Sequence, residues 1–237
     1  MTEQIYYEDA YLAEAEVTVT NIQPRNGGVV FFELDRTPFY PEGGGQPADQ
    51  GTVETATGSI RVNTVRTQDG AILHEGKMTG TVEPGQAGTA TIKWSRREKY
   101  MRMHSAGHLV HDVLMRSHPE LKPVRGKHGD KAFLEYVGSL DAEVQSTLES
   151  EVNDEIAADH PIRTWSCTYD ELVEMCGELP ANLPTDKDLR VLKIGDFEPM
   201  PDGGVQVAKT GEIGHVVIHH ITQEDGRVTI RYGVTND

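Results

Sequence analysis

The periodicity of this chain changes at Ser95, and that change limits the fold more than any other feature. Before it come short β-prone runs: Ala15 to Thr20, Val29 to Leu34, Gly51 to Val53, Ile60 to Val65, Ala71 to Leu73 and Thr89 to Trp94. Gly, Pro or Asp separates them, and Asn26-Gly27-Gly28 between the first two is a hairpin signal. Short strands at this spacing predict a small barrel or sandwich. From Ser95 to Ser117 there is no Pro, Gly107 is the only Gly, and Met101, Ala106, Leu109 and Val113 recur near helical spacing. Ser95 and Glu98 predict a capping box, and His118-Pro119 ends the helix. Val144, Leu148, Val152 and Ile156 at strict i+4 steps predict a second helix from Asp141 to Asp159. A strand from Lys131 to Val137 is expected between the two helices. After Pro161 come an extended run to Thr168, a short helix around Tyr169 to Met175 and a Pro-rich connection to Thr185. Strands are then predicted at Leu189 to Ile194, Gln206 to Ala208, Gly214 to His220 and Val228 to Tyr232.

A chain of 237 residues can bury one large core or two small ones. The change of pattern divides it into a β domain at 1–93 and a mixed domain at 94–237. The expected class is α+β: a small N-terminal β-barrel-like domain, then two layers with an antiparallel sheet and two main helices. The apolar runs are too short to cross a bilayer, residues 1–20 carry no basic residue of a secretory signal, and Cys167 and Cys176 provide no disulfide framework. A cytoplasmic protein without membrane contact is expected. Net charge is −16, which argues against a nucleic-acid partner, yet residues 93–131 hold ten basic and four acidic side chains. A basic island on an acidic body can dock a polyanion, and a solvated charged face looks the same in sequence.

Three segments carry candidate chemistry. His104 and His108, four apart, share one helix face and can hold one metal ion, although two core imidazoles would show the same spacing. His111 lies within one turn of that face. Ser105 stands where a peptidase of the HExxH type needs its Glu, which disfavours that hydrolase. The run Thr37 to Gly51 contains Gly43-Gly44-Gly45-Gln46 between Tyr40-Pro41 and Pro47, readable as a structured turn or as a loop against a substrate end. Asp202 and Gln206 flank a Gly-Gly turn that leads to Thr210-Gly211-Glu212-Ile213-Gly214, and both can point into one site.

In this order the three segments resemble the AlaX proteins, free-standing relatives of the alanyl-tRNA synthetase editing domain. Phe39 to Gly51 resembles the family's glycine-rich motif, His104-Ser105-Ala106-Gly107-His108 its HxxxH metal motif, and Asp202 to Val207 with Thr210 to Gly214 the segment written CGGTHV followed by TxEIG. The resemblance covers nearly the whole chain and is that of the medium-length type. It implies hydrolysis of the ester of mischarged aminoacyl-tRNA, most of all seryl-tRNA(Ala), with one zinc ion. Asp202 and Gln206 replace the family's Cys and His ligands, and Val205 replaces Thr. A set of His104, His108 and Asp202 with water would be an open site, with Gln206 acting through its amide. Cys176 supplying a displaced thiolate is one alternative; loss of the metal site, leaving a tRNA-binding module, is the other. The resemblance also implies that residues 122–127 line the substrate pocket. Arg96, Arg97, Lys99, Arg125 and Lys127 are the candidate contacts to acceptor-end phosphates, and Gly43, Gly44, Gly45 and Gln46 the candidate loop contacts.

Overall fold

The computed structural model describes residues 2–141, 143–176, 183–186 and 188–235, so the Pro-rich connection after the short helix lies partly outside the described residues. The chain gathers into two compact units, Met1–Tyr100 and Met101–Asp237.

The first unit is a closed barrel. Its strands are β1 (Glu14–Pro24), β2 (Val29–Leu34), β3 (Gly51–Thr55), β4 (Gly58–Gln68), β5 (Ala71–Gly80) and β6 (Ala87–Ile92). They close in the order β1-β2-β5-β4-β3-β6 with every neighbouring pair antiparallel. Alternation decides the inside: Val30, Phe32 and Leu34 of β2 join Val53, Ile60, Val62 and Ile92 in the core. Between β1 and β2, Gly27 and Gly28 take φ of 73° and 76°, the left-handed backbone that the hairpin signal anticipates. His74 sits wholly inside, with Nε2 2.8 Å from Thr37 Oγ1 and Nδ1 3.2 Å from the Phe32 carbonyl. Burial pushes its imidazole down to about 4.

Helix α1 (Trp94–Ser117) contributes its residues from Met101 onward to the second unit. It starts one residue before Ser95, and the Lys93 carbonyl accepts from the Arg96 and Arg97 amides, so Ser95 lies inside the helix and the expected capping box does not form. The other elements are β7 (Lys122–Lys127), β8 (Phe133–Val137), α2 (Val144–Ala157), β9 (Ile162–Cys167), α3 (Tyr169–Cys176), β10 (Leu189–Ile194), β11 (Met200–Pro201), β12 (His215–Glu224) and β13 (Arg227–Thr235). They form a four-stranded sheet, β12-β13-β8-β7, and a three-stranded sheet, β11-β10-β9, both antiparallel. Gln206 to Ala208, expected as a strand, is irregular: Val207 gives its amide to the Ser105 hydroxyl instead of to a neighbouring strand.

Each element buries the residues its pattern selects. In α1, Met101, Ala106, Leu109, Val110, Val113 and Leu114 are buried, each large one worth about 1.5–3 kcal/mol. The i+4 row of α2 is buried too, and that helix packs beside β12. There Asn153 bonds both the amide and the carbonyl of Val216 at 2.9 Å, and Glu149 accepts from the Ile218 amide at 2.7 Å. Polar side chains of α2 thus satisfy the outer backbone groups of β12 in place of a further strand.

Candidate functional site

The i+4 spacing on α1 places His104 and His108 side by side, their ring centroids 4.9 Å apart and their planes 21° from parallel. Asp202 arrives from the other direction. It directly follows β11, and its amide bonds the Arg190 carbonyl at 2.9 Å, which fixes where its side chain begins. Its Oδ1 then lies 3.3 Å from His104 Nε2 and 3.3 Å from His108 Nε2. Both sequence-predicted histidines and the aspartate therefore meet at one oxygen. Their donor atoms all lie within 4.8 Å of one another.

Gln206 meets this group through Asp202. Its amide nitrogen donates to Asp202 Oδ2 at 2.6 Å, and its carbonyl accepts from the Ser105 hydroxyl at 2.6 Å. The Gly204 amide donates to Oδ1 at 3.0 Å. Asp202 is thus held from two sides, with Oδ1 turned to the imidazoles. Cys176, the alternative thiolate, donates to the Pro199 carbonyl at 3.0 Å and is outside the donor group.

The electrostatics follow from burial. Desolvation opposes charge on all three residues, but the two adjoining imidazoles hold the Asp202 carboxyl well below its ordinary range. Burial keeps His104 below its usual value. Burial also opposes charge on His108, but the Asp202 carboxylate outweighs it and raises that imidazole. His108 Nδ1 lies 3.0 Å from the thioether of Met200, which can only accept, so that nitrogen carries a proton and Nε2 is the one left to face Asp202 or an ion. His108 Nε2 is nevertheless buried without a hydrogen-bond partner: its approach to Asp202 has the distance of a contact but not the direction of a hydrogen bond. Tetrahedral ligands about 2.0–2.1 Å from one ion stand about 3.3–3.4 Å apart, the separation this oxygen keeps from both nitrogens. The donor set and the orphaned nitrogen therefore fit one divalent cation.

Two neighbours escaped sequence reasoning. His128 stacks on His104 at 4.2 Å and 19°. Tyr232 donates to the Met103 carbonyl at 3.0 Å, so His128 Nδ1, 2.6 Å away, must donate to the tyrosine oxygen and leave Nε2 as an acceptor. A Cβ on Gly107 would collide with both His128 Nδ1 and the Tyr232 oxygen, which explains a glycine inside α1 despite its cost of about 1 kcal/mol to a helix. The available signal for His128 was its place directly after residues 122–127. Nothing in the sequence pairs Ser105 with Gln206.

His108 and His128 open onto a cavity of about 820 Å³, walled by α1, by β7 and β8, and by residues 196–201. Arg125 and Gly126 line it, while Lys127 is exposed beside it. Arg125 donates to Glu135 at 2.9 Å. In the first unit, Arg96 donates to the Ala48 carbonyl at 2.8 Å and exposed Lys99 lies over the Tyr100 ring. Arg97, expected at phosphates, differs. It is fully buried and bonds Asp49 and the carbonyls of Ala10 and Pro38, so its charge is answered inside the protein. Gly43 and Gln46 exchange backbone hydrogen bonds around Gly44 and Gly45, whose φ values of 54° and 77° favour glycine; the tip is exposed and Gln46 is buried. Among the described residues no helix is long and apolar enough to cross a membrane.

Comparison with known proteins gives three kinds of match. Residues 2–96 fit the family described as tRNA synthetases class II (A). The chain is 31% identical over 246 residues to the alanyl-tRNA editing protein AlaX-M of Saccharolobus solfataricus, covering 99% of both chains. It is 32% identical over 221 residues to the alanyl-tRNA editing protein AlaX-L of Pyrococcus horikoshii, covering 92% of this chain and 54% of that one. With an alanine–tRNA ligase of Haloquadratum walsbyi it shares 32% identity over 228 residues, covering 92% of this chain and 24% of the ligase. The chain thus spans about half of AlaX-L and about a quarter of the ligase.

Proposed function

The chain belongs to the AlaX family of alanyl-tRNA editing proteins, and from that premise we propose that it hydrolyses the ester of a mischarged aminoacyl-tRNA, foremost seryl-tRNA(Ala), in the cytoplasm. One observation carries the reading: a buried carboxylate oxygen stands 3.3 Å from two imidazole nitrogens, one of them without a hydrogen-bond partner. His104, His108 and Asp202 would hold a zinc ion. When bound, such an ion polarises an ester carbonyl and lowers the pKa of water.

The chain's own residues do the rest. Gln206 fixes the carboxylate that the ion needs, and Ser105 fixes Gln206. Met200 accepts from His108 Nδ1, which leaves Nε2 as the nitrogen turned toward Asp202. His128 presents an acceptor nitrogen among the site's imidazoles, suited to orienting a water or a ribose hydroxyl. The cavity is large enough for an aminoacyl group and part of a terminal nucleoside. Arg96, Lys99, Arg125 and Lys127 are proposed to meet acceptor-end phosphates, and the Gly44–Gly45 tip to meet the tRNA.

The test is metal content of the purified protein together with deacylation of seryl-tRNA(Ala). Close to one zinc per chain and turnover that stops with a chelator are expected. A protein that takes up no metal and leaves seryl-tRNA(Ala) intact with added zinc is instead a tRNA-binding module, the reading that the missing Cys and His favour.

A further inference from the structure

Asp112 stands one turn beyond His108 on α1 and lines the same cavity. It is 7% exposed, and its Oδ2 is buried with no hydrogen-bond partner among the described residues. The other acidic side chains of the wall are provided for. Glu135 is clasped by Arg125 and by Arg227, the latter at 2.6 Å, while Asp196 and Glu198 are exposed to water. Burial pushes the Asp112 carboxyl up to about 7. Of its titratable neighbours, His108 draws the carboxyl back down but is itself turned to Asp202, and His111 is held at about 4 by burial, with Nδ1 3.0 Å from the Tyr136 hydroxyl. Asp112 is also outside the one group of metal donors found among the described residues.

In its ionised form a desolvated carboxylate with an open oxygen calls for a cationic donor, because a neutral donor leaves the charge uncompensated. We propose that Asp112 binds the α-ammonium group of the aminoacyl moiety, a cation subsite one helical turn from His108. The proposal rests on the ester-hydrolase reading of the cavity. In an α-amino ester the nitrogen lies about 2.5 Å from the carbonyl carbon, and a charge-assisted hydrogen bond adds about 2.8 Å, a reach close to the about 5.4 Å of one helical turn. In the proposed pose an ammonium seated on Asp112 turns the ester carbonyl toward His108, one turn back along α1 on the same cavity wall. The ammonium is common to serine, glycine and alanine, so Asp112 orients the ester without choosing among them. Selectivity falls to other groups of the wall.

The probe is the serine amide of 3′-amino-3′-deoxyadenosine, which does not hydrolyse, used with its amine free and with it acetylated. Calorimetry on the full chain should show the free amine bound about 10- to 100-fold more tightly, as for a buried charge pair against a broken one. Asp112→Asn, isosteric and uncharged, should bind the two probes alike and melt no lower than the unmodified protein. Asp112→Ser provides the same reading if the amide variant misfolds. An unmodified protein without the preference, or an Asp112→Asn protein that keeps it, overturns the proposal. Seryl-tRNA(Ala) deacylation is measured separately: no turnover with the amine preference intact defeats the enzyme reading and leaves the subsite standing.

Discussion

Asp49 and Asp202 are both buried carboxylates beside nitrogen bases, and they are opposite in kind. Asp49 receives the Arg97 guanidinium and the Tyr40 amide, the latter at 2.7 Å, while the remaining arginine donors reach backbone carbonyls. Asp202 meets two imidazoles at 3.3 Å, one of which keeps a buried nitrogen without a partner. The histidines repeat the contrast: both ring nitrogens of His74 have oxygen partners, and His108 Nε2 has none. Buried polar groups are ordinarily satisfied, so a completed set marks structure and an incomplete one marks a place for a ligand.

Paired substitutions test that distinction. Asp202→Ala should abolish both bound metal and deacylation, since two imidazoles alone hold an ion poorly. Arg97→Ala should lower stability by about 3–5 kcal/mol, from the uncompensated charge it leaves, with metal content per folded molecule unchanged. Elemental analysis and denaturant titration of both proteins decide it. Full metal in Asp202→Ala would break the comparison and make Cys176 the first suspect.

A smaller effect concerns acid. His74 has a folded pKa of about 4 against 6.5 for a free imidazole, so between those values the unfolded chain binds the extra proton. Its contribution, about 3 kcal/mol, is complete above pH 6.5 and is lost as pH falls through 4. Unfolding free energies at pH 7 and 4.5 should therefore differ less in His74→Gln than in the unmodified chain. An unchanged difference would remove His74 as the cause. The smallest expected change is that of Gln206→Ala, about 10- to 100-fold in metal affinity or turnover, because it acts through Asp202. A loss equal to that of Asp202→Ala would mean that Gln206 touches the ion or the substrate itself.

What was legible in the sequence was what neighbours in the chain decide. The strand Val29–Leu34, the strand Leu189–Ile194 and the buried i+4 row of α2 match their patterns. The shared helix for His104 and His108 was a matter of spacing. β7 was not legible, because Lys-Pro-Val-Arg-Gly-Lys holds a proline, a glycine and three charges, and only pairing with β8 makes it a strand. The Ser105–Gln206–Asp202 chain of hydrogen bonds joins residues about a hundred positions apart, which no local pattern reports. Asp112 shares the face of His108 by simple spacing, yet a helical aspartate ordinarily reads as a solvated charge.

The two margins of the four-stranded sheet protect the protein from itself in different ways. α2 covers β12 by bonding the backbone of Val216 and Ile218, but β7 ends the sheet with an exposed row of Lys122, Pro123, Arg125 and Lys127. Like charges and a proline on a bare margin repel a second copy that would extend the sheet, so this row guards against aggregation whatever else it binds. Neutralising Arg125 or Lys127 to test the proposed RNA contacts would also remove that guard. A fall in apparent affinity would then mix lost phosphate contacts with lost soluble protein, and light scattering would have to accompany every such titration.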